Sequence, residues 1–297
     1  MKLCDLHCHS TFSDGTLTPA QLIRLAEEKG LKALALTDHN TAGGLKEFME
    51  AGAASSVIPV PGCEFTSEYE GHELHIVGLF FREEHWPEVA DYVELMHLAK
   101  HHANRRLIQA LNEGGIDIRY EEAAALTDAE EFNRAHVARV LAAKGYVSSV
   151  QEAFQTILKE GNGFYRPPRR LTSLGTIRFI KQYGAVAVLA HPFLNLKEEE
   201  LLEFLPKAKA AGLDAMETLY TEFDEETTAK AKAIAARFGL AQSGGSDFHG
   251  EAKPKISLGS GWGNLAVPFS FYEDLQRIAS APKESGTNPG TAKEEKP

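Results

Sequence analysis

The chain has 297 residues, of which 43% are hydrophobic and 25% are charged, and its formal net charge is −11. This length and apolar content suffice for one large barrel or for a barrel with an inserted domain. The acidic balance excludes broad, charge-driven binding of long duplex nucleic acid, because the phosphate backbone attracts basic surfaces. A small, locally basic pocket for a single phosphate is compatible with it.

The sequence also lacks the features of secreted and membrane proteins. Its three cysteines are typical of reduced thiols rather than of a disulfide framework. The opening residues, MKLCDLH, reach charged side chains before any apolar signal region forms. No run approaches the roughly 18 apolar residues that a membrane span needs. We therefore expect a cytoplasmic protein without membrane contact.

Strand and helix patterns alternate in the first third of the chain. A capping box over Thr18–Gln21, with proline at the first helical position, predicts a helix that ends near Gly30. A second helix is predicted to begin at residue 41 or at 43 and to end at 54. The predicted strands cover residues 2–7, 33–37, 57–62 and 74–81. This rhythm predicts parallel strands with helices outside them.

The pattern changes between residues 86 and 168, where long amphipathic stretches follow one another without a strand. They cover 89–113, 134–144 and 150–160 and predict an inserted helical domain. Because the insertion follows a strand on the face that carries the candidate ligands, we expect a lid that excludes water and positions substrate. A passive packing domain is the alternative.

The alternation resumes after residue 169 and completes the domain plan. Helices are predicted over 174–183, 197–211 and 225–238, and strands over 185–190, 214–218 and 240–244. The barrel is thus expected to combine residues 1–85 and 169–281, with the helical domain at 86–168. The polar tail at 282–297 is expected to be disordered.

Residues that bind metals stand at the ends of the short apolar runs. The segments are DLHCH (5–9), TDHN (37–40), GCE (62–64), HELH (72–75), AHP (190–192) and GSDFH (245–249). Strand ends converge at one face of an α/β barrel, which is where such proteins gather functional side chains. Packing does not require imidazoles there, so the pattern predicts a metal site.

The first segment has a favourable local geometry. Side chains alternate along a strand, so Asp5, His7 and His9 are predicted to point to the same side. The two imidazoles would bind one cation, and Asp5 would accept the second N–H of one ring and fix its tautomer. Cys8 would point the other way, although a cysteine ligand at Cys8 or Cys63 stays an open alternative.

Five motifs together resemble the polymerase and histidinol phosphatase (PHP) superfamily. In chain order they are DLHCHSTFSDGTLTP, ALTDHNTAGG, PGCEFTSEYEGHELHIVGL, LAHP and GGSDFHG. The resemblance covers residues 1–81 and 186–268 and is strongest to stand-alone bacterial nucleotide phosphoesterases, including 3′,5′-nucleoside bisphosphate phosphatases. It implies an α/β fold, a distorted (β/α)7 TIM-like barrel with an inserted helical lid domain.

The resemblance also implies a trinuclear metal site, with three divalent ions per chain. Its ligands would be His7, His9, Glu64 and Asp247 for the first ion, Glu64, His75 and His191 for the second, and Asp14, His39 and His249 for the third. Asp14 departs from family members that carry histidine at this position. Histidine and carboxylate ligands without a thiolate favour Mn, Zn or Fe over Mg.

Several of these ligands also have a simpler interpretation. Asp14 can form a turn, His191 can be a buried histidine bonded to the backbone, and Glu64 can be an acid at a helix N-terminus. His72 competes with His75, but the strand predicted from residue 74 includes His75 and leaves His72 in the preceding turn.

The candidate substrate-binding residues are Arg134 and His136, in a segment that resembles the family's Arg-x-His motif. Arginine suits phosphate because its planar guanidinium donates two hydrogen bonds side by side. A solvated helix end with ordinary surface charges is the alternative.

These observations favour a metal-dependent phosphoesterase that acts on a nucleotide: AMP, a 3′,5′-bisphosphonucleoside or a very short oligonucleotide. Two cations about 3.5–4 Å apart would supply a bridging hydroxide that attacks phosphorus, with no protein nucleophile. The alternatives are a phosphatase of a small monoester such as histidinol phosphate, a 5′→3′ exoribonuclease, and a non-enzymatic, degenerate PHP module that binds metal.

Overall fold

The computed structural model describes residues 2–127, 132–159, 161–167 and 170–281, apart from the side chains of Met96 and His97. The predicted tail lies outside the described residues. The chain divides into two compact units. The first unit runs up to His85 and resumes at Ser173, and the second is Trp86–Thr172, which ends four residues after the predicted boundary at 168.

Eight strands belong to the first unit. They are β1 (Leu3–Asp5), β2 (Ala33–Leu36), β3 (Ile58–Tyr69), β4 (His72–Leu79), β5 (Val186–Leu189), β6 (Ala215–Tyr220), β7 (Ala241–Gly245) and β8 (Val267–Pro268). Sequence patterns missed the short β8, and they ended the third strand at residue 62, well before Tyr69.

In the first unit the described helices separate successive strands, except where a turn joins β3 to β4 and where no α-helix separates β7 from β8, and one helix follows the last strand. In the second unit they follow one another. They are α1 (Pro19–Glu28), α2 (Leu45–Ala53), α3 (Trp86–Glu113), α4 (Tyr120–Ala124), α5 (Arg134–Ala143), α6 (Val150–Gln155), α7 (Ser173–Gln182), α8 (Pro192–Asn195), α9 (Glu198–Ala211), α10 (Glu225–Arg237) and α11 (Phe269–Ser280). The capping box predicted for the first helix is present, with Thr18 as the N-cap and Gln21 bonding back to it.

The strands form one sheet in the order β7-β6-β5-β4-β3-β2-β1-β8. Strand β4 pairs antiparallel with both β3 and β5, so the prediction of parallel strands throughout is wrong here. The reason is the connection: only Glu70 and Gly71 separate β3 from β4, both with positive φ (49° and 88°). A two-residue turn of this kind joins antiparallel strands, whereas a parallel pair needs a long crossover.

Strand β7 and the segment after it meet the segment that follows β1, which nearly closes the sheet into a barrel. Beyond β1, the Leu6 amide donates to the Gly244 carbonyl at 3.1 Å, and the His9 amide donates to the Phe248 carbonyl at 2.9 Å. Strand β8 pairs antiparallel with the beginning of β1. Seven strands thus form the wall and β8 extends it, so the predicted TIM-like barrel is confirmed.

Each unit has its own apolar core. In the first, β2 and β5 are buried along their whole length, as expected for strands covered on both faces. In the second, buried side chains such as Leu111, Val137 and Leu141 pack among the helices. No strand occurs among the described residues of Trp86–Thr172.

Candidate metal centre

The carboxylate of Glu64 lies at the centre of a buried cluster of imidazoles. Its side chain is fully buried on β3. One oxygen, Oε2, lies 3.3 Å from His7 Nε2, 3.3 Å from His9 Nε2 and 3.0 Å from His39 Nδ1. The other, Oε1, lies 2.9 Å from His75 Nδ1 and 3.1 Å from His191 Nε2. One carboxylate therefore faces two groups of ring nitrogens, one on each oxygen.

Asp247 and Asp14 complete the cluster. Asp247 Oδ1 lies 3.2 Å from His9 Nε2 and 3.5 Å from His249 Nδ1. Asp14 Oδ1 lies 3.2 Å from His249 Nε2, and its Oδ2 lies 3.9 Å from His39 Nε2. The structure thus brings all nine predicted ligands into one cluster. Within it, ligand atoms lie within 4.8 Å of one another in three groups: His9, Asp14, His39 and His249; His7, His9 and Glu64; and His39, Glu64 and His75.

The barrel explains why residues so distant in sequence meet. His7 and His9 follow β1, His39 follows β2, and His191 follows β5, so all project from the carboxyl ends of parallel strands. His75 reaches the same end from the beginning of β4, because that strand runs in the opposite direction.

The backbone beside the cluster is unusual. His191 and Asp247 have positive φ angles of 27° and 56°. Residues other than glycine rarely adopt such backbone angles. Such conformations cost on the order of 1–3 kcal/mol each and concentrate at functional sites. In this protein they aim one imidazole and one carboxylate into the cluster.

Unsatisfied buried atoms test whether the cluster suits metal ions. Among the described residues, seven buried side-chain nitrogen or oxygen atoms lack a hydrogen-bond partner, and six of them belong to this cluster. The six are His7 Nε2, His9 Nδ1, His9 Nε2, His39 Nδ1, Glu64 Oε2 and His249 Nε2. Each such atom costs about 1–3 kcal/mol, and a bound cation would satisfy several at once. Imidazole and carboxylate donors fit divalent transition metals.

The cysteines do not join the cluster. The Cys8 thiol donates to the Ala35 carbonyl at 3.1 Å, away from the imidazoles. Burial raises the pKa of the Cys63 thiol, which opposes the thiolate form that binds metal. The geometry therefore does not support the alternative of a cysteine ligand.

Opposite charges in the cluster shift the pKa values of its members. Burial by itself would raise the pKa of Glu64, but the imidazoles of His7 and His75 hold it well below its usual range. Burial would lower the pKa of His75, and the Glu64 carboxylate raises it to about 10. For Asp247, burial is again outweighed, and the His9 imidazole, 3.2 Å from its Oδ1, lowers the pKa.

Asp5 does not make the contact that the sequence predicted. It accepts hydrogen bonds from the Ser246 amide (2.9 Å), the Ser246 hydroxyl (2.5 Å) and the Gly259 amide (2.7 Å), and it does not reach an imidazole. The alternation holds for His7 and His9, which both face Glu64. The Asp5 carboxylate instead faces the loops that carry Ser246 and Gly259. Asp5 fixes the loops that carry Asp247.

Glu217, rather than Asp5, accepts the second N–H of a candidate ligand imidazole. Its Oε1 lies 2.8 Å from His7 Nδ1, and its Oε2 accepts the His191 amide at 2.7 Å. It lies on β6 and is buried. Sequence reasoning missed it, although a single acid inside the apolar run AMETLY was a usable signal.

Tyr220, at the end of β6, was also missed. Its hydroxyl donates to Asp247 Oδ2 at 2.9 Å, and its ring lies 5.3 Å from the His191 ring between centroids. Burial and the Asp247 charge raise the pKa of this phenol, so it acts as a neutral hydrogen-bond donor.

His72 lies outside the cluster. It belongs to β4 rather than to the preceding turn, so the prediction was wrong about its element. Its Nε2 lies 3.6 Å from Glu200, and its side chain is exposed. Of the two histidines, the geometry places His75 against Glu64.

Arg134 and His136 lie in the second unit, at the beginning of α5. The Arg134 guanidinium stacks on the Tyr165 ring, 4.0 Å from its centroid, and also faces Phe154. His136 Nδ1 accepts the Asn133 amide at 3.1 Å as part of a capping box. These contacts fix both side chains within their own unit, and a role in substrate binding stays a prediction.

Comparison with known proteins identifies the family. A model of the PHP domain matches residues 5–165, more than half of the chain. The chain belongs to the PHP domain family. The resemblance seen in the five sequence motifs is therefore confirmed.

The relatives of this PHP protein include an exoribonuclease and a nucleotide phosphatase. It is 33% identical to a 5′-3′ exoribonuclease of Haemophilus influenzae, over 84% of this chain and 90% of the relative. It is 32% identical to a 3′,5′-nucleoside bisphosphate phosphatase of Chromobacterium violaceum, over 84% of this chain and 88% of the relative.

A solved structure has the same fold. A candidate metal-dependent phosphoesterase from Bifidobacterium adolescentis superposes with a TM-score of 0.65 at 26% identity, over 95% of this chain and 98% of that one. Among the described residues of this PHP protein, no helix is both long and apolar enough to cross a bilayer.

Proposed function

We propose that this PHP protein hydrolyses a phosphate ester of a nucleotide at a site for three divalent ions. The class of reaction, hydrolysis of phosphoric ester bonds, is the one that its relatives share and that the sequence predicted. The observation that carries the proposal is the convergence of nine ligand side chains around Glu64, with six of their buried atoms unsatisfied.

The nine side chains would divide among the ions as the resemblance implies. His7, His9, Glu64 and Asp247 would hold the first ion, Glu64, His75 and His191 the second, and Asp14, His39 and His249 the third. When bound, such ions supply Lewis acidity, lower the pKa of water and neutralise charge on the phosphoryl group. We propose Mn, Zn or Fe, because the donors are imidazoles and carboxylates.

The chain's own residues prepare the site for this chemistry. Glu64 presents its two oxygens to different imidazoles, which is the arrangement required of a bridging carboxylate. Glu217 accepts the second N–H of His7 and so turns Nε2 toward Glu64. Tyr220 holds one oxygen of Asp247, and the other faces His9.

The proposed substrates are AMP, a 3′,5′-bisphosphonucleoside and a very short oligonucleotide. Support comes from the names of the two relatives, both of which refer to nucleotides or RNA, and from the net charge of −11, which disfavours long duplexes. Arg134 and His136 would bind the substrate, and the second unit would act as a lid. We place the protein in the cytoplasm.

A substrate panel tests this proposal. The purified protein would be stripped with a chelator, reloaded with Mn or Zn, and assayed with AMP, 3′,5′-bisphosphoadenosine, 5′-phosphorylated short RNA and histidinol phosphate. The proposal predicts turnover of at least one of the first two that depends on metal and is lost in His9→Ala and Asp247→Ala. Turnover of histidinol phosphate alone would contradict the nucleotide assignment, and stepwise trimming of RNA alone would favour an exoribonuclease, as the Haemophilus influenzae relative is named.

A further inference from the structure

Lys253 brings a positive charge to the edge of the metal centre. It follows the short turn Gly250–Ala252, just after the last ligand motif. Its Nζ lies 2.8 Å from Asp247 Oδ2. Among the described residues, no other lysine or arginine side chain forms an ion pair with any of the nine cluster residues.

The two donors to Asp247 Oδ2 differ in kind. The Tyr220 phenol is 2% exposed and packed beside His191 and Phe223, so it suffices to fix the carboxylate. The Lys253 side chain is 41% exposed and sits on a flexible four-carbon stem. An ammonium has three N–H donors, and Asp247 uses one of them.

Positioning alone does not account for a lysine at this place. A cation next to a site that binds cations is electrostatically unfavourable, since like charges repel in a partly buried environment. A phosphoryl group bound at the centre would reverse the sign of this interaction, because its oxygens carry negative charge and accept strong hydrogen bonds from an ammonium.

We propose that Lys253 binds the phosphoryl group of the substrate by donating hydrogen bonds to a non-bridging oxygen beside Asp247. Lys253 is thus a substrate-binding residue of the first unit, and Tyr220 is the residue that positions Asp247. This inference rests on the proposed function, since it assigns a ligand to the same site.

The experiment compares Lys253→Met with Lys255→Met, each in the Mn-loaded full chain. Lys255 is exposed two residues away and serves as the matched control. Calorimetric titration would measure the affinity of each protein for inorganic phosphate and, separately, for Mn²⁺. A thermal unfolding scan would check that both variants are folded, and Lys253→Arg would test rescue by a conserved charge.

We expect Lys253→Met to weaken phosphate binding about tenfold or more, as for loss of a hydrogen bond between charged groups. Its affinity for Mn²⁺ should equal or exceed that of the wild type. Lys253→Arg should recover most of the phosphate affinity, and Lys255→Met should match the wild type. Weakened Mn²⁺ binding with unchanged phosphate affinity would overturn the proposal and assign Lys253 a positioning role. Unchanged affinity for both, or no phosphate binding by the wild type, would also overturn it.

The same titration separates this inference from the proposed function. Phosphate binding is measured without turnover. A protein that binds phosphate through Lys253 but hydrolyses none of the esters in the panel would contradict the proposed function and leave this inference standing.

Discussion

Glu217 Oε1 lies 2.8 Å from His7 Nδ1, and both side chains are buried. A metal-binding imidazole works best when its second nitrogen donates to a fixed acceptor, because that bond sets both the tautomer and the ring orientation. Here the acceptor comes from β6 and the imidazole from the loop after β1. Glu217 also accepts the His191 amide, so one carboxylate supports two candidate ligands.

Replacement of this carboxylate should weaken metal binding. We expect Glu217→Gln to reduce the affinity for Mn²⁺ or Zn²⁺ by about 10–100-fold, the usual effect of losing an outer-shell partner. Calorimetric titration of the stripped protein measures it. Glu222→Gln, at an exposed acid on the following loop, is the control. Equal affinities in the two variants would show that Glu217 does not support the centre.

The paired histidines of β4 should differ in their importance. His75→Ala should lose metal and phosphoesterase activity, because His75 Nδ1 lies 2.9 Å from Glu64 Oε1. His72→Ala should keep both, since His72 lies outside the cluster, with its Nε2 3.6 Å from the surface residue Glu200. Metal content by elemental analysis and turnover of AMP check the pair. The reverse result would place the ligand at His72.

Gly245 allows β7 to approach the loop that carries His7. A Cβ added at this position would lie 2.3 Å from His7 Cβ and 2.5 Å from the His7 amide nitrogen, so the backbone would have to move. We expect Gly245→Ala to lower the free energy of unfolding by about 1–3 kcal/mol, as for overpacking. It should also weaken metal binding. Denaturant unfolding and metal titration test both effects. An unchanged denaturant midpoint in Gly245→Ala would contradict the close approach of Gly245 to His7.

Stability should respond to pH differently with and without metal. The pKa of His75 is raised to about 10 in the folded, metal-free protein, above the ordinary value of about 6.5. Protonated His75 therefore contributes its full stabilisation at pH values below about 6.5, and this contribution disappears as the pH rises through about 10. The chelator-treated protein should therefore lose thermal stability between pH 7 and pH 10.

Metal binding changes this dependence. Ligand imidazoles must be neutral, so loading should release protons and the affinity should rise with pH. Thermal unfolding scans of stripped and Mn-loaded protein at several pH values would test this. Stripped His75→Ala is the control, and its stability should change less with pH than that of the stripped wild type. Identical pH profiles for stripped and loaded protein would contradict the assignment.

Much of the centre could be predicted because its ligands follow apolar runs. The strands before His39 and His191 are short and fully buried, which makes their ends easy to locate. Where strands end in a barrel determines where side chains meet, so the pattern predicts a metal site at that face. The family resemblance added Asp14 and the choice of His75, and implied the full set of nine ligands.

The remaining features depend on contacts that no local pattern reveals. The Asp5 carboxylate misses the imidazoles because it accepts hydrogen bonds from Ser246 and Gly259, which are more than 240 residues away in the sequence. Glu217 and Tyr220 meet their partners only across the barrel. The sequence did not reveal the hairpin between β3 and β4, because its turn is Glu70-Gly71. The commonest two-residue turns are pairs such as Asn-Gly.

The most direct test of the central claim is anomalous diffraction from crystals of the Zn-loaded protein. Anomalous peaks should lie about 2.0–2.2 Å from an oxygen of Glu64 and from ring nitrogens of His7, His9 and His75. An active protein whose crystals show zinc only at other places would contradict the account.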